Sequence, residues 1–341
     1  MISFENDYLE GAHEKILTRL VETNRIQASG YGSDEFSQKA AEKIREVLGC
    51  PKAMIRFLMG GTQTNQVVIS SILKRFEGVI AADTGHISTH EAGAIELTGH
   101  KILPLSAIAG KITAEAIDHL IETFYKDATH THMVFPGMVY LSYPTEYGTL
   151  YSLEELERIS QVCRTHEIPL YIDGARLGYG LVCEESDVTI KDIARLCDVF
   201  YIGGTKIGAL CGEAVVFTKN NEPVHFTTLI KQNGALLAKG RLVGIQFLEL
   251  FSNNLYFEIS KHAIDMAMKV KKGFIEKGYH LFIDSPTNQQ FFVMSNEKVN
   301  TLKPFVQFAN WETYDETHQV VRVATSWGTT EEQVELLLSL V

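Results

Sequence analysis

Short apolar runs alternate with amphipathic helical stretches from residue 53 to residue 217, and this rhythm constrains the fold more than any other feature. The runs are Ala53–Met59, Val79–Ala82, Ile102–Leu105, Val139–Ser142, Leu170–Asp173, Val199–Ile202 and Glu213–Phe217. Each is too short for a helix and too apolar for a half-solvated strand, so each reads as a buried strand. Between them, Ile117, Leu120, Ile121 and Phe124 follow Thr113 on one helical face. Leu156, Ile159 and Cys163 follow the capping-box pair Ser152 and Glu155. Ahead of the first run, Phe36, Ala40, Ile44 and Val47/Leu48 recur at helical spacing until Gly49 and Pro51 stop them. Strands alternating with helices imply an α/β fold, a mostly parallel central sheet with helices on both faces.

The rhythm changes after residue 222. Two long helical stretches, about 226–252 and 254–277, precede strand-like runs at Leu281–Ile283, Phe291–Met294 and Val320–Ala324. A last helix is expected from Thr329, with Glu332 as its capping partner. A chain of 341 residues exceeds one hydrophobic core. The expected division is an N-terminal arm at 1–20 packing with the small domain, a large domain at 21–222, and a smaller C-terminal α+β domain at 223–341.

Composition removes several classes of function. Net charge is −11 and no run of five basic residues occurs, which argues against a nucleic-acid partner. The five cysteines lack a Cys-x-x-Cys pair and sit among apolar neighbours, so they read as buried thiols rather than disulfides or a zinc site. Neither a signal peptide nor an 18-residue apolar run is visible, so a cytoplasmic protein without a membrane partner is expected.

Chemistry concentrates where strands end, because open α/β sheets bind ligands outside the carboxyl ends of their strands. Tyr171-Ile-Asp-Gly-Ala-Arg176 delivers an acid and a guanidinium, and Tyr201-Ile-Gly-Gly-Thr-Lys206 delivers a lone amine. A lysine held out of water loses part of its affinity for a proton and becomes a nucleophile. The competing reading is a surface lysine in the turn before Glu213–Phe217. Gly60-Gly61-Thr62-Gln63-Thr64-Asn65, between a strand and a helix, suits a phosphate because free amides and the helix dipole converge there. An amine, an acid and a phosphate cradle together point to pyridoxal phosphate. A nicotinamide site is disfavoured, since the first turn lacks Gly-x-Gly-x-x-Gly. His86, His90 and Glu91 lack a further ligand at useful spacing, so no metal is expected. The aromatic segment Phe305–Tyr314 reads as core or interface.

Asp173-Gly-Ala-Arg176, Gly-Gly-Thr-Lys206, Gly61-Thr62-x-x-Asn65, His86 with Glu91, and Val321-Arg322-Val-Ala-Thr-Ser-Trp327 stand in one order along the chain. In that order the sequence resembles the threonine aldolase group of the fold type I pyridoxal-phosphate enzymes, within the β-eliminating lyases. Its low-specificity L-threonine and phenylserine branch is the most similar.

The resemblance implies that Lys206 carries the cofactor as a Schiff base and that Asp173 pairs with its ring nitrogen. It implies that Gly61 and Thr62 bind the phosphate, that His86 stacks on the ring, and that Asn6, Arg176 and Arg322 hold the substrate carboxylate. A basic residue from a neighbouring subunit, Arg241 or Lys231, would complete the phosphate site in a homodimer or homotetramer. The implied reaction is retro-aldol cleavage of a β-hydroxy-α-amino acid to glycine and an aldehyde. The alternatives are β-elimination on the same cofactor, or a non-catalytic protein of the same fold. Many relatives carry a second histidine after the central strand; here Ser142-Tyr-Pro-Thr-Glu146 stands instead. The base is therefore open between His86, Glu91, Glu146 and a water.

Overall fold

The computed structural model describes residues Met1 to Val341. Its central sheet has seven strands in the order Met54–Leu58, Glu213–Phe217, Val199–Gly203, Leu170–Asp173, Phe135–Ser142, Glu77–Ala82 and Ile102–Leu105. All pairings are parallel except those of Glu213–Phe217, which runs against both of its neighbours. Its short link from Val199–Gly203 makes the reversal possible, because a parallel return would need a crossover of a dozen or more residues. The carboxyl ends of six strands and the amino end of the seventh therefore share one edge.

Both faces are covered, as the apolar runs require. Ile80, Ile172, Phe200 and Val216 enter a core with Ile44, Leu156, Ile193 and Phe247. Their strand neighbours Val79, Tyr171, Val199 and Val215 enter a second core with Val67, Val68 and Phe226. Burying each such side chain contributes about 1.5–3 kcal/mol before the entropy of ordering it. Ser152 and Glu155 form the expected capping box.

A smaller antiparallel sheet follows, in the order Ala309–Thr313, His318–Ala324, Gln289–Ser295 and His280–Ile283. Phe274, Phe292, Val321 and Leu337 fill its core, where Phe4 of the N-terminal arm joins them. Ile2–Ser3 pairs in parallel with Val306–Gln307. The arm thus crosses to the small sheet before the chain enters the large one.

Four expectations need correction. The stretch 226–252 is two helices, Phe226–Gln232 and Arg241–Leu250, broken where Gly234 takes φ 68°. The cores do not divide at residue 222: Phe226 and Ile230 join one large core and Val243 through Ile264 the other, while the small core begins at Met266. Helix Leu255–Glu276 spans that division, since an uninterrupted apolar stripe can serve two cores in succession. The last helix is capped by Thr330 with Gln333, because the Thr329 hydroxyl is taken by the backbone N–H of Ser326. Phe305–Tyr314 contains a strand, Ala309–Thr313, which brings Trp311 to the cleft between the sheets. No helix is long and apolar enough to cross a membrane.

Candidate active site

A cavity of about 590 Å³ opens along the edge where the strands end. Its floor is made by the segments just beyond Leu58, Ala82, Ser142, Asp173 and Gly203, and its roof by Gln289, Trp311 and Arg322 of the small sheet and Tyr8 of the arm.

Asp173 lies at the centre, 4% exposed. Its Oδ1 accepts from the Tyr201 hydroxyl at 2.5 Å and the Ala175 amide at 3.0 Å. Its Oδ2 accepts from the Tyr140 hydroxyl at 2.6 Å and the Asn65 amide at 3.0 Å. Burial pushes the carboxyl upward, but His86 and these donors outweigh it and hold the acid below its ordinary value. Asn65 is oriented by the Tyr171 hydroxyl at 2.7 Å. The Asn65 amide also reaches Glu91 at 2.7 Å, and Glu91 holds His86 Nδ1 at 2.8 Å. His86 and Glu91 thus belong to a hydrogen-bonded chain that ends on Asp173. Tyr140 and Tyr201 went unnoticed in the sequence because each looked like one more apolar strand residue.

Lys206 is no surface lysine. Its side chain lines the cavity, with Nζ 6.0 Å from the Tyr8 ring centre. Its carbonyl accepts from the Tyr179 hydroxyl at 2.6 Å. Burial, assisted by the charge on Arg176, lowers the amine to about 8.

The two arginines meet here from opposite domains. Arg176 is already engaged, with Nε and Nη2 donating to the two oxygens of Asp7 at 2.7 and 2.9 Å. Asn288 donates to the same carboxylate at 2.9 Å. Arg322 donates to Gln289 at 3.1 Å and to the Glu5 carbonyl at 2.8 Å, while its Nε has no partner. Its guanidinium carbon lies 5.1 Å from the Trp311 ring centre. Burial and the nearby Arg176 lower Arg322 to about 10. Asp7, Gln289, Tyr8 and Trp311 had no local sequence signal beyond a polar arm and an aromatic strand.

Glu146 is another buried acid lining the cavity. Its Oε1 accepts from the His86 backbone at 2.8 Å and the Ser142 hydroxyl at 2.5 Å, and its Oε2 has no partner. Burial raises it above its ordinary value.

The Gly60 turn opens a helix at the cavity wall. Helix Gly61–Ile72 starts without a side-chain cap or an acidic first turn, so its amides stay open to the cavity. A Cβ on Gly61 would come to 3.1 Å from the Tyr201 hydroxyl, and glycine relieves that approach. Thr62 lines the same wall.

Asn6 does not line this cavity, and neither do Arg241 and Lys231, the candidates expected to reach it from a neighbouring subunit. The Asn6 side chain accepts from the Tyr8 amide at 3.1 Å and turns the arm. Arg241 donates to the carbonyls of Thr23 and Ile26, the former at 2.5 Å, and Lys231 sits 4.8 Å from the Tyr31 ring centre. No cluster of three or more His, Cys, Asp or Glu residues could hold a metal ion.

A strand-end lysine, a buried acid and a glycine-opened helix around one crevice of this sheet define the fold type I class of pyridoxal-phosphate enzymes. The chain belongs to the beta-eliminating lyase family, whose model matches residues 15–294. It is 41% identical to the solved threonine aldolase of Leishmania major, covering 100% of this chain and 98% of that one at a TM-score of 0.96. It is 26% identical to the low specificity L-threonine aldolase of Pseudomonas aeruginosa, over 98% of this chain and 95% of the relative. A putative L-allo-threonine aldolase from Listeria monocytogenes shares the fold at 18% identity, with 99% and 95% coverage and a TM-score of 0.75.

Proposed function

We propose that the protein is a pyridoxal-phosphate-dependent aldolase that cleaves L-threonine, L-allo-threonine or a related β-hydroxy-α-amino acid to glycine and an aldehyde. The observation that carries this reading is one cavity holding Lys206, Asp173 and the two guanidiniums of Arg176 and Arg322.

The wall fits the cofactor chemically. An amine at about 8 is partly neutral at physiological pH and can act as a nucleophile. An acid kept ionised inside the protein suits a protonated ring nitrogen, and open amides at a helix start suit a phosphate. Lys206 would hold the cofactor, Asp173 its ring nitrogen, Gly61 and Thr62 its phosphate, and His86 one face of its ring. When bound, pyridoxal phosphate supplies an electron-accepting ring for the pair released as Cα–Cβ breaks.

The chain's own residues then select the bond. Arg176 and Arg322 bind the substrate carboxylate from two directions, and planar guanidiniums restrict its rotation. That restriction sets which bond at Cα stands across the ring. Asp7 keeps Arg176 pointed into the cavity, and Trp311 supports Arg322 from the other side. The β-hydroxyl proton must be accepted nearby. His86 has its Nδ1 tied to Glu91, which leaves Nε2 free; Glu146 has one unpartnered oxygen.

Purified protein loaded with pyridoxal phosphate should release glycine and acetaldehyde from L-threonine. Pyruvate and ammonia from serine or cysteine instead would make it an eliminating lyase. Failure to develop an absorbance band at about 420 nm with the cofactor would make it a binding protein only. Self-association into a dimer or tetramer, with the cavity near the subunit boundary, accompanies this reading.

A further inference from the structure

Glu213 places an acid where an anion is expected. Because its strand runs backwards, it enters at the ligand edge, opposite Leu58 in register and close to the Gly60 turn. It lines the cavity with Gly60, Gly61, Thr62 and Thr205, and is 3% exposed. Its Oε2 accepts from the Gly204 amide at 3.1 Å and its Oε1 from the Thr205 hydroxyl at 2.8 Å. A carboxylate in this position would repel a phosphate across a low-dielectric gap, whereas a carboxylic acid would donate to it.

We propose that Glu213 binds the cofactor phosphate as a neutral carboxylic acid, its O–H donating to a phosphate oxygen, so that uptake of the phosphate-bearing cofactor is coupled to uptake of a proton. The inference rests on the pyridoxal-phosphate reading of the site. Burial pushes Glu213 up to about 8 before any second anion arrives. An adjacent phosphate raises it further, because like charges disfavour ionisation.

The groups acting around it are consistent with that state. Lys206 draws Glu213 towards ionisation and Asp173 opposes this. Tyr171 and Tyr201 from the sheet, Tyr256 from helix Leu255–Glu276 and Cys211 from the preceding loop complete its ionisable surroundings. Arg56, on the neighbouring strand, is held by Glu222 at 2.7 Å.

The test is calorimetric titration of the apoprotein with pyridoxamine 5′-phosphate, a probe that forms no Schiff base with Lys206. Buffers of different ionisation enthalpy count the protons, and pyridoxamine without phosphate is the control. At about pH 9 the wild-type protein should take up close to one proton per phosphate ester bound, and affinity should fall roughly tenfold per pH unit above about 8. Glu213→Gln should bind within a few-fold of wild type at about pH 7, take up about one proton fewer than wild type at about pH 9, and lose less affinity at higher pH. A Lys206→Ala background should preserve the Glu213-dependent uptake, which separates it from titration of the amine. Zero uptake by the wild type overturns the proposal whatever the variant does. So does equal uptake by wild type and Glu213→Gln, or a uniform tightening of binding in the variant. If the wild type binds no phosphate ester at any pH, the pyridoxal-phosphate reading itself falls.

Discussion

Asp7 and Arg176 lie 169 residues apart and form a two-pronged ion pair, Nε to Oδ2 at 2.7 Å and Nη2 to Oδ1 at 2.9 Å. The pair joins the N-terminal arm to the strand end that carries Asp173. It also means that the guanidinium expected to bind substrate is aimed before substrate arrives. The orienting group is Asp7, a residue of the arm.

Removing Asp7 should therefore damage both stability and binding. Asp7→Ala leaves a buried guanidinium without its counter-ion, a loss of about 3–5 kcal/mol in urea unfolding. Asp7→Asn should be milder, raising KM for L-threonine more than it lowers kcat. Burial alone would raise the Asp7 carboxyl, but the charges of Arg176 and Lys206 bring it well below the usual carboxylate range. With a depressed folded value, the pair's contribution is complete above the unfolded value of about 3.9 and fades as pH falls below it. The stability gap between wild type and Asp7→Asn should thus be flat near neutrality and narrow in acid.

Lys206 carries the opposite sign. Its folded value of about 8 lies below the ordinary lysine value, so between the two the unfolded chain binds more protons and stability rises with pH. Apoprotein carrying Lys206→Met should be more stable than wild type at neutral pH by on the order of 2 kcal/mol, after discounting for water in the cavity. Thermal melts should show that gap closing above pH 8 or so. The variant should show no cofactor absorbance band.

Tyr140 and Tyr201 should matter through Asp173. Tyr140→Phe or Tyr201→Phe removes one donor from a buried carboxylate, at a cost of about 1–3 kcal/mol in unfolding experiments. Each should also bring Asp173 upward and loosen its hold on the cofactor, read as faster loss of the cofactor absorbance on dialysis. Unchanged retention in both variants would reduce the tyrosines to packing.

Glu146 and His86 can be separated by kinetics. If Glu146 accepts the β-hydroxyl proton, Glu146→Gln should lower kcat on L-threonine by about 100-fold or more, while KM stays near wild type. If His86 does so, the same loss should follow His86→Asn instead, together with a weakened cofactor band from the lost ring contact. A loss in neither would leave Glu91 or a water as the acceptor.

The parts of this site that could be read from the chain are those set by local order. A buried strand that ends in Asp-Gly-Ala-Arg, and another that ends in Gly-Gly-Thr-Lys, expose their polar residues at the same edge whenever the sheet is parallel. For that reason Asp173, Lys206 and Gly61 reach one cavity, whereas Arg322 arrives from a strand of the small antiparallel sheet. Trp311 carries no periodic signal in the sequence; it stands at the irregularity where Ala309–Thr313 pairs with His318–Ala324, and lines the cavity there. The helix between 226 and 252 was drawn too long because its apolar residues keep helical spacing across a glycine that takes a left-handed φ.

By itself, then, the sequence determined the sheet, its helical cover, and the acid and amine that face the cavity. Those follow from alternation of polarity along a few residues, which burial converts directly into strand ends. Tertiary structure decided what each functional group is bonded to: Asp7 on Arg176, two tyrosines on Asp173, Glu91 on His86. It also decided that Glu213 faces the Gly60 turn, since its orientation depends on a strand that runs against its neighbours. These are contacts between residues far apart in the chain, and their energies depend on burial, which no short stretch of sequence specifies.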